Sequence, residues 1–193
     1  MKKMILMAVL VSSVAAVNAQ ATFGLKLGAN FSNLKYSEDG DSESGDMKVG
    51  LNIGGLANIP LSADFSFQPE LVFSMEGSKN EFGGIETKIN LNYINIPVLL
   101  QYNVSGFIAE TGPQLGFLIG AKFKAGDTEV DSEAYETINF SWAIGFGYKM
   151  PSGFGANVRY NLGLSNIYKD AADDYKVKGN TIQVGVFYIL GGK

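Results

Sequence analysis

The chain has 193 residues, of which 24 are glycine and 12% are aromatic, and it contains neither cysteine nor histidine. The lack of cysteine excludes a disulfide framework and a thiol nucleophile. The lack of histidine removes the commonest general base and the commonest ligand of transition metals. A formal net charge of −4 argues against nucleic acid as a partner, because such binding depends on neutralising phosphates with Lys and Arg.

The first 19 residues have the pattern of a secretory signal peptide. Lys2 and Lys3 precede the apolar run "MILMAVLVSSVAAV", and "VNA" places small or permissive residues before Gln20. The apolar run is short for a membrane-spanning helix, which leaves an uncleaved N-terminal anchor as the alternative. Removal of this segment would leave 13 basic and 19 acidic side chains, a net charge of −6. We therefore predict a signal peptide at 1–19 and one domain at 20–193.

Eight segments after Gln20 alternate apolar and polar residues with a period of two, which is the signature of strands rather than helices. In "GFIAETGPQLGFLIGAKFK" (106–124), every second residue from Phe107 to Phe123 is uncharged, whereas the residues between them include three glycines with Glu110 and Lys122. The other segments are "TFGLKLGANFSNL", "VGLNIGGLANI", "FSFQPELVFSME", "INLNYINIPVLLQY", "INFSWAIGFGYKM", "FGANVRYNLGLS" and "NTIQVGVFYIL".

The segment "INLNYINIPVLLQY" changes parity within itself. Ile89, Leu91 and Tyr93 are odd-numbered, whereas the alternating apolar residues that follow are even-numbered: Ile94, Ile96, Val98, Leu100 and Tyr102. A β-bulge near Tyr93 and Ile94 would keep all of them on one face. The alternative is that the strand starts later and that 89–93 belong to its extension on the loop side.

The connections between the segments alternate in length. "PLSAD", "NVSG" and "PSG" are short turns, and four longer polar loops are predicted around 35–46, 77–88, 124–136 and 167–178. Short turns at one end and long loops at the other are typical of outer-membrane barrels. We predict an all-β fold, an eight-stranded antiparallel up-and-down transmembrane β-barrel.

Alternation does not by itself decide which face of the barrel is outside, and a soluble lipocalin-like barrel would keep its apolar face inside. Glycines crowd the polar face, where they would make room in a narrow interior for a few long side chains. Aromatic residues gather beside the short turns, as in an interfacial girdle: Phe23, Phe65, Tyr102, Phe107, Tyr148, Phe154 and Tyr188. Both features favour an apolar face that contacts lipid.

Three stretches, "FGLKLGANFSNL", "LNYINIPVLLQY" and "AETGPQLGFLIGAK", resemble the PorT-like outer-membrane β-barrel family of Bacteroidota. The resemblance covers essentially all of 20–193, and its most specific pieces are the strand from Tyr93 to Pro97 and the pair Gly112–Pro113. It implies an eight-stranded barrel in the outer membrane whose motifs are structural. Some members are linked to type IX secretion, a role that similarity at the level of the barrel does not transfer.

Four charged residues on the polar face are the candidate site: Lys26, Glu70, Glu110 and Arg159. Each lies about four to six residues from a short turn, so they should share one depth in the barrel at roughly 3.3 Å per residue. Unpaired buried charges are costly, so we expect a structural ion-pair network. The alternative is proton relay or acid–base chemistry by Glu70 and Glu110. A Ser-His-Asp arrangement is impossible without histidine.

The acidic segments "SEDGDSESGD" and "KAGDTEVDSEAYE" are expected to be solvated loops, since the first departs from the spacing of a calcium-binding loop. Weak binding of divalent ions that bridge lipid phosphates is the alternative. We expect no catalytic residue, cofactor or metal. The predicted role is a non-enzymatic, monomeric outer-membrane protein with a plugged polar lumen, whose partners are outer-membrane lipid and other envelope or secretion proteins. A small-solute channel is the second candidate, and a soluble ligand-binding barrel is the third.

Overall fold

Strands make up the regular structure of the chain in this computed structural model, which describes residues 21–38, 41–82, 85–125, 128–131, 134–169 and 175–191. The predicted signal peptide lies outside the described residues. Ten strands are present in the described part: β1 (Thr22–Glu38), β2 (Asp41–Ser44), β3 (Asp46–Pro60), β4 (Phe65–Phe82), β5 (Ile85–Val104), β6 (Phe107–Ala125), β7 (Thr128–Asp131), β8 (Ile138–Lys149), β9 (Phe154–Gly163) and β10 (Lys176–Leu190).

The eight long strands form one antiparallel sheet that closes on itself. Consecutive long strands are neighbours, and β1 also pairs with β10 over a register that runs from Phe23–Leu190 to Ser37–Lys176. The short strands β2 and β7 pair with β1 and β6 respectively. This topology confirms the predicted up-and-down antiparallel fold. Within the described ranges, no helix is long and apolar enough to cross a membrane.

The two faces of the sheet differ sharply in exposure. Large apolar side chains point outward and are exposed, as at Leu27 (53%), Ile53 (57%) and Phe146 (69%). The charged side chains of Lys26 and Arg159 point inward, where only 6% and 1% of their surfaces are exposed. A water-soluble barrel has the opposite arrangement. The apolar face therefore needs a lipid environment.

The connections at one end of the barrel are short, as the sequence predicts. Residues 61–64, 105–106 and 150–153 join β3 to β4, β5 to β6 and β8 to β9. At the other end, the prediction of long irregular loops is wrong for much of the described chain. The segment 35–46 is largely the hairpin of β1 and β2, and 77–88 is largely the continuation of β4 and β5. These strand extensions carry polar side chains on both faces. They therefore lack the alternation of apolar and polar residues that identifies a strand in the sequence.

The change of parity in β5 is not caused by an extra residue in that strand, so the predicted bulge is wrong. Strand β5 pairs with β4 in one register from Tyr102 to Ile85, and Ile89, Leu91 and Tyr93 are buried inside the barrel. Its N-terminal part does extend on the loop side, but the strand starts earlier, not later. The irregularity lies in the partner strand β6, where Ile119 is skipped by the register.

That irregularity also corrects the predicted face of β6. The odd residues of β6 from Phe107 to Ile119 are exposed or half-buried, as expected for the apolar face. Beyond the register shift, Ala121 is buried with 9% of its surface exposed. The outward face of β6 is therefore shorter than the alternation in its sequence indicates.

The turn between β5 and β6 depends on two positive φ angles, 52° at Ser105 and 88° at Gly106, a conformation that suits tight hairpins. We expect Ser105→Val to lower the free energy of unfolding by about 1–3 kcal/mol, because a β-branched side chain is strained in this region. Urea titration of the detergent-folded protein measures it. Ser105→Gly is the control and should unfold at the wild-type midpoint or above it; equal midpoints for Val and Gly would contradict the assignment.

Candidate functional site

A buried ion-pair layer crosses the barrel interior in the half near the short turns. Arg159 on β9 donates from both terminal nitrogens to the two carboxylate oxygens of Glu70 on β4, each at 2.8 Å. Its Nε donates to Oε1 of Glu110 on β6, also at 2.8 Å. Bidentate contacts of this kind are the strongest salt bridges between a guanidinium and a carboxylate. One arginine thus links strands on different sides of the barrel.

Lysine and amide groups complete the layer. Lys26 on β1 donates from Nζ to Oε2 of Glu70 at 2.9 Å. The side-chain amide of Gln68 donates to Glu70 at 2.8 Å, and that of Gln101 donates to Glu110 at 2.9 Å. The structure therefore brings together all four residues that the sequence singles out. The two glutamine partners were missed, although both lie on polar faces of their strands.

This arrangement balances charge and leaves little access for a reactant. Two cations face two carboxylates, and the surfaces of Glu70 and Glu110 are only 3% and 5% exposed. Their oxygens already accept hydrogen bonds from Arg159, Lys26 and the two glutamines. Acid–base chemistry needs a carboxyl group within reach of its substrate. The geometry favours a structural role, in which the ion pairs link strands across the barrel, over catalysis by this carboxylate pair.

Glycine makes room for this layer on the neighbouring strand. A Cβ atom at Gly145 on β8 would lie 2.8 Å from Oε1 and 3.0 Å from Cγ of Glu110, and 2.9 Å from the carbonyl oxygen of Val158. Distances this short force neighbouring atoms to move. The missing side chain at Gly145 therefore lets Glu110 reach Arg159.

We expect Gly145→Ala to lower the free energy of unfolding by about 1–3 kcal/mol, because overpacking displaces the Glu110 carboxylate. Urea unfolding in detergent micelles measures the loss. Gly120→Ala is the matched control, since a Cβ there would meet only Nδ2 of Asn92, at an ordinary 3.6 Å. Equal unfolding midpoints for the two variants would show that Gly145 is not needed for space.

A second polar layer lies farther toward the loop end and was not singled out from the sequence. The Glu76 carboxylate on β4 accepts hydrogen bonds from Ser74 (2.8 Å), Asn95 (2.9 Å) and Thr181 (3.2 Å). Lys48 donates from Nζ to the main-chain carbonyl of Glu76 at 3.0 Å. Glu76 lies on the polar face of its segment in the sequence. It was missed because only charged residues about four to six positions from a short turn were selected.

An apolar cap closes the interior at the loop end. It consists of buried side chains from four strands and from two connecting segments: Leu34, Ile89, Leu91, Tyr93, Ala121, Tyr135, Ile167 and Val177. Tyr135 and Ile167 come from the connecting segments and are 3% and 1% exposed. The parity change in "INLNYINIPVLLQY" was the sequence signal for this cap, because it turns apolar residues inward.

Hydrogen bonds hold the connecting segments of the cap in place. The main-chain nitrogen of Glu136 donates to the carbonyl of Ile167 at 2.8 Å, and that of Ile167 donates to the carbonyl of Val177 at 2.9 Å. The rings of Tyr135 and Tyr168 lie 5.0 Å apart. Burial raises the pKa of Tyr135 well above its ordinary value, and a side-chain hydrogen bond with Tyr168 adds to this effect. Hydrogen bonds and a ring contact thus tie the connecting segments to the barrel.

Little empty space lies beside these layers. A cavity of about 10 Å³ borders Glu76, Tyr93 and Ile167, and a second cavity of about 10 Å³ borders Glu70, Gln101 and Arg159. Each is room for about one water molecule. Among the described residues, no group of three or more acidic side chains is placed to hold a metal ion.

The seven aromatic residues predicted as a girdle are all exposed on the outer face. They lie at strand ends next to the short turns, and Phe65–Tyr102, Phe107–Tyr148 and Phe154–Tyr188 are directly opposed in register. Ring centroids are 5.0 Å apart in the first pair and 5.1 Å apart in the second. Phe23 is opposite Leu190. The geometry suits an aromatic belt at a membrane–water interface.

Comparison with known families agrees with this architecture. The model of the family described as outer membrane protein beta-barrel domain matches residues 18–169. The chain belongs to this family. Membership in the outer membrane protein beta-barrel family implies an outer-membrane location for the barrel. No curated protein sequence matches the chain significantly.

Similar solved structures share little sequence with this chain. Neisserial surface protein A, from Neisseria, is 16% identical with a TM-score of 0.55, and the match covers 88% of this chain and 98% of that one. The attachment invasion locus protein Ail of Yersinia pestis is 16% identical with a TM-score of 0.48, covering 89% and 99%. At this identity, the likeness to the neisserial protein shows the fold of this outer membrane protein beta-barrel domain and nothing about its activity.

Proposed function

We propose that this protein is a closed, non-enzymatic outer-membrane barrel that serves as a scaffold for contacts at the cell surface or within the envelope. The observation that carries the proposal is the filling of the interior at two levels. The ion-pair layer around Arg159 occupies the half near the short turns, and the apolar cap occupies the loop end. An eight-stranded barrel has an interior that side chains just fill, so solute transport is the weaker candidate.

The chemistry of the chain supports the non-enzymatic part of the proposal. The full sequence has no histidine or cysteine, and the carboxylates of Glu70 and Glu110 are engaged with Arg159. We further propose that residues 1–19 direct export, that 20–193 form the mature domain, and that the barrel acts as a monomer. Placement in the PorT-like branch of Bacteroidota rests on the motifs from Tyr93 to Pro97 and at Gly112–Pro113.

Planar-bilayer recording tests whether the barrel is closed. Protein that shows the heat-modifiable folded band on gels should give no stable openings over long recordings, because both interior layers block the path. The same protein after heat unfolding is the control for leakage caused by detergent or aggregates. Stable openings of porin size from the folded sample alone would contradict the closed barrel and favour the channel.

Photocrosslinking in intact cells tests the role in contacts. A photoreactive residue at Ser42, exposed on β2 at the loop end, should give defined adducts with an envelope or surface component. The matched control is Ser62, exposed in the turn between β3 and β4. Failure of Ser42 and other loop-end positions to give any adduct would count against a scaffold that acts through this end.

A further inference from the structure

Lysines follow the apolar residues on the outward face of β1 and β10. In register, the apolar pair Phe31–Ile182 is followed by Asn33–Asn180 and then by Lys35–Lys178. Lys176 lies one row farther, opposite Ser37. The outer surface therefore passes from apolar to amide to ammonium groups along the same two strands.

A second row of lysines has the same outward position on the next sector of the barrel. Lys79 on β4 is directly opposite Lys88 on β5, and Lys88 is directly opposite Lys124 on β6. Like charges opposite each other on neighbouring strands destabilise a sheet. We call these six residues the lysine collar: Lys35, Lys79, Lys88, Lys124, Lys176 and Lys178. Asp46 is opposite Lys79 and Glu86 pairs with Lys88, so the protein's own carboxylates offset part of this repulsion.

The acidic residues near β1 are on the other face of the sheet. In the hairpin of β1 and β2, Glu38 is opposite Asp41 and Glu43 is opposite Tyr36, at positions that alternate with Lys35. The outward positions of β2 opposite Lys35 and Ser37 hold serines. Within the described ranges, Lys35, Lys176 and Lys178 take part in no salt bridge, whereas Lys88 pairs with Glu86.

The height of the collar matches lipid headgroups. Each row is two residues, so Lys35 and Lys178 lie about 13 Å along the strands beyond the last apolar pair. With the tilt of about 40° usual for membrane barrels, this is roughly 10 Å along the membrane normal. A lysine stem can extend back toward the interface from that level. A lipid whose chains lie against Phe31 and Ile182 would have its headgroup at the collar.

We propose that the lysine collar binds the phosphate-bearing headgroups of lipids in the leaflet at the loop end. The inference rests on the proposed outer-membrane residence and adds a lipid class to it. Ammonium groups are effective point-charge partners of phosphate. The turn end of the same outward face carries aromatic residues such as Phe23 and Tyr188 instead, so the attraction is specific to one leaflet.

Nanodiscs that contain equal parts of phosphatidylcholine and phosphatidylglycerol test this proposal. Native mass spectrometry of the released barrel counts the lipids retained, and the wild type should prefer phosphatidylglycerol. The variant K35Q/K176Q/K178Q should lose this preference by roughly a hundredfold, since each lysine near an anionic surface contributes about fivefold. The control K149Q/K169Q removes two lysines outside the collar and should retain the wild-type preference.

Three results would overturn the proposal. The first is an unchanged preference in K35Q/K176Q/K178Q. The second is displacement of phosphatidylglycerol by inorganic polyphosphate at equal phosphate concentration, which would identify a soluble anion as the ligand. The third result uses the wild type alone and so does not depend on the folding of a variant. It is a preference for phosphatidylglycerol that does not fall as the salt concentration rises. Failure of the wild type to enter phosphatidylcholine nanodiscs would instead overturn the proposed function.

Discussion

Replacement of Arg159 by methionine should lower the free energy of unfolding by about 3–5 kcal/mol, the usual cost of removing one partner from a buried ion pair. The change leaves Glu110 with amide donors alone and leaves Glu70 with Lys26. Methionine has a similar length and fills similar space, so the loss reports charge rather than a cavity. Urea unfolding in phospholipid vesicles measures it, and the heat-modifiable folded band on gels should weaken in parallel.

A charge-balanced variant separates this explanation from general damage. Arg159→Met combined with Glu110→Gln leaves one cation and one carboxylate, Lys26 and Glu70, so it should regain most of the lost stability. Lys169→Met removes an exposed lysine at the loop end and should stay within about 0.5 kcal/mol of wild type. An Arg159→Met protein as stable as Lys169→Met would contradict a buried ion-pair layer.

A lysine in the middle of the outward apolar face should cost about 2–4 kcal/mol, the range for a lipid-facing charge near the bilayer midplane. Ile53 is suited to this test, because it is 57% exposed and sits in register between Leu27 and Phe73. In a soluble barrel, Ile53→Lys would be nearly neutral, since exposed substitutions stay within about 0.5 kcal/mol. Unfolding in vesicles of matched thickness gives the free energy.

The matched control places the same charge on the same face but beyond the apolar rows. Asn33→Lys on β1 lies one row past Phe31 and next to the row of Lys35, so its stability should equal that of the wild type. A neutral Ile53→Lys would contradict the lipid-facing assignment. Equal losses in both variants would show that added positive charge, rather than depth, causes the effect.

The strand pattern and the ion-pair layer could be read from the sequence because both follow from the period of two. Alternation fixes which residues share a face, and counting from a short turn gives depth. Lys26, Glu70 and Arg159 could therefore be placed at one level from the sequence alone. The glutamine partners Gln68 and Gln101 could not be predicted, because nothing in the sequence distinguishes a neutral amide on a polar face from its polar neighbours.

The loop end could not be predicted, because there the rule that apolar residues face outward no longer applies. Above the membrane, water surrounds the barrel and the interior can be the apolar side, as at Leu91 and Tyr93. The parity change at these residues was visible, but a bulge explained it equally well. Tyr135 and Ile167 join the cap from far along the chain, and tertiary packing and hydrogen bonds place them there.

A labelling scan along β9 tests the central claim, an outward apolar face and a filled interior, most directly. The chain has no cysteine, so single cysteines from Phe154 to Leu162 can each carry a nitroxide in vesicles. Collision with oxygen, which concentrates in lipid, should be high at even positions such as Val158 and Tyr160 and low at odd positions such as Asn157 and Asn161. High collision with a water-soluble nickel reagent at the even positions would contradict the account.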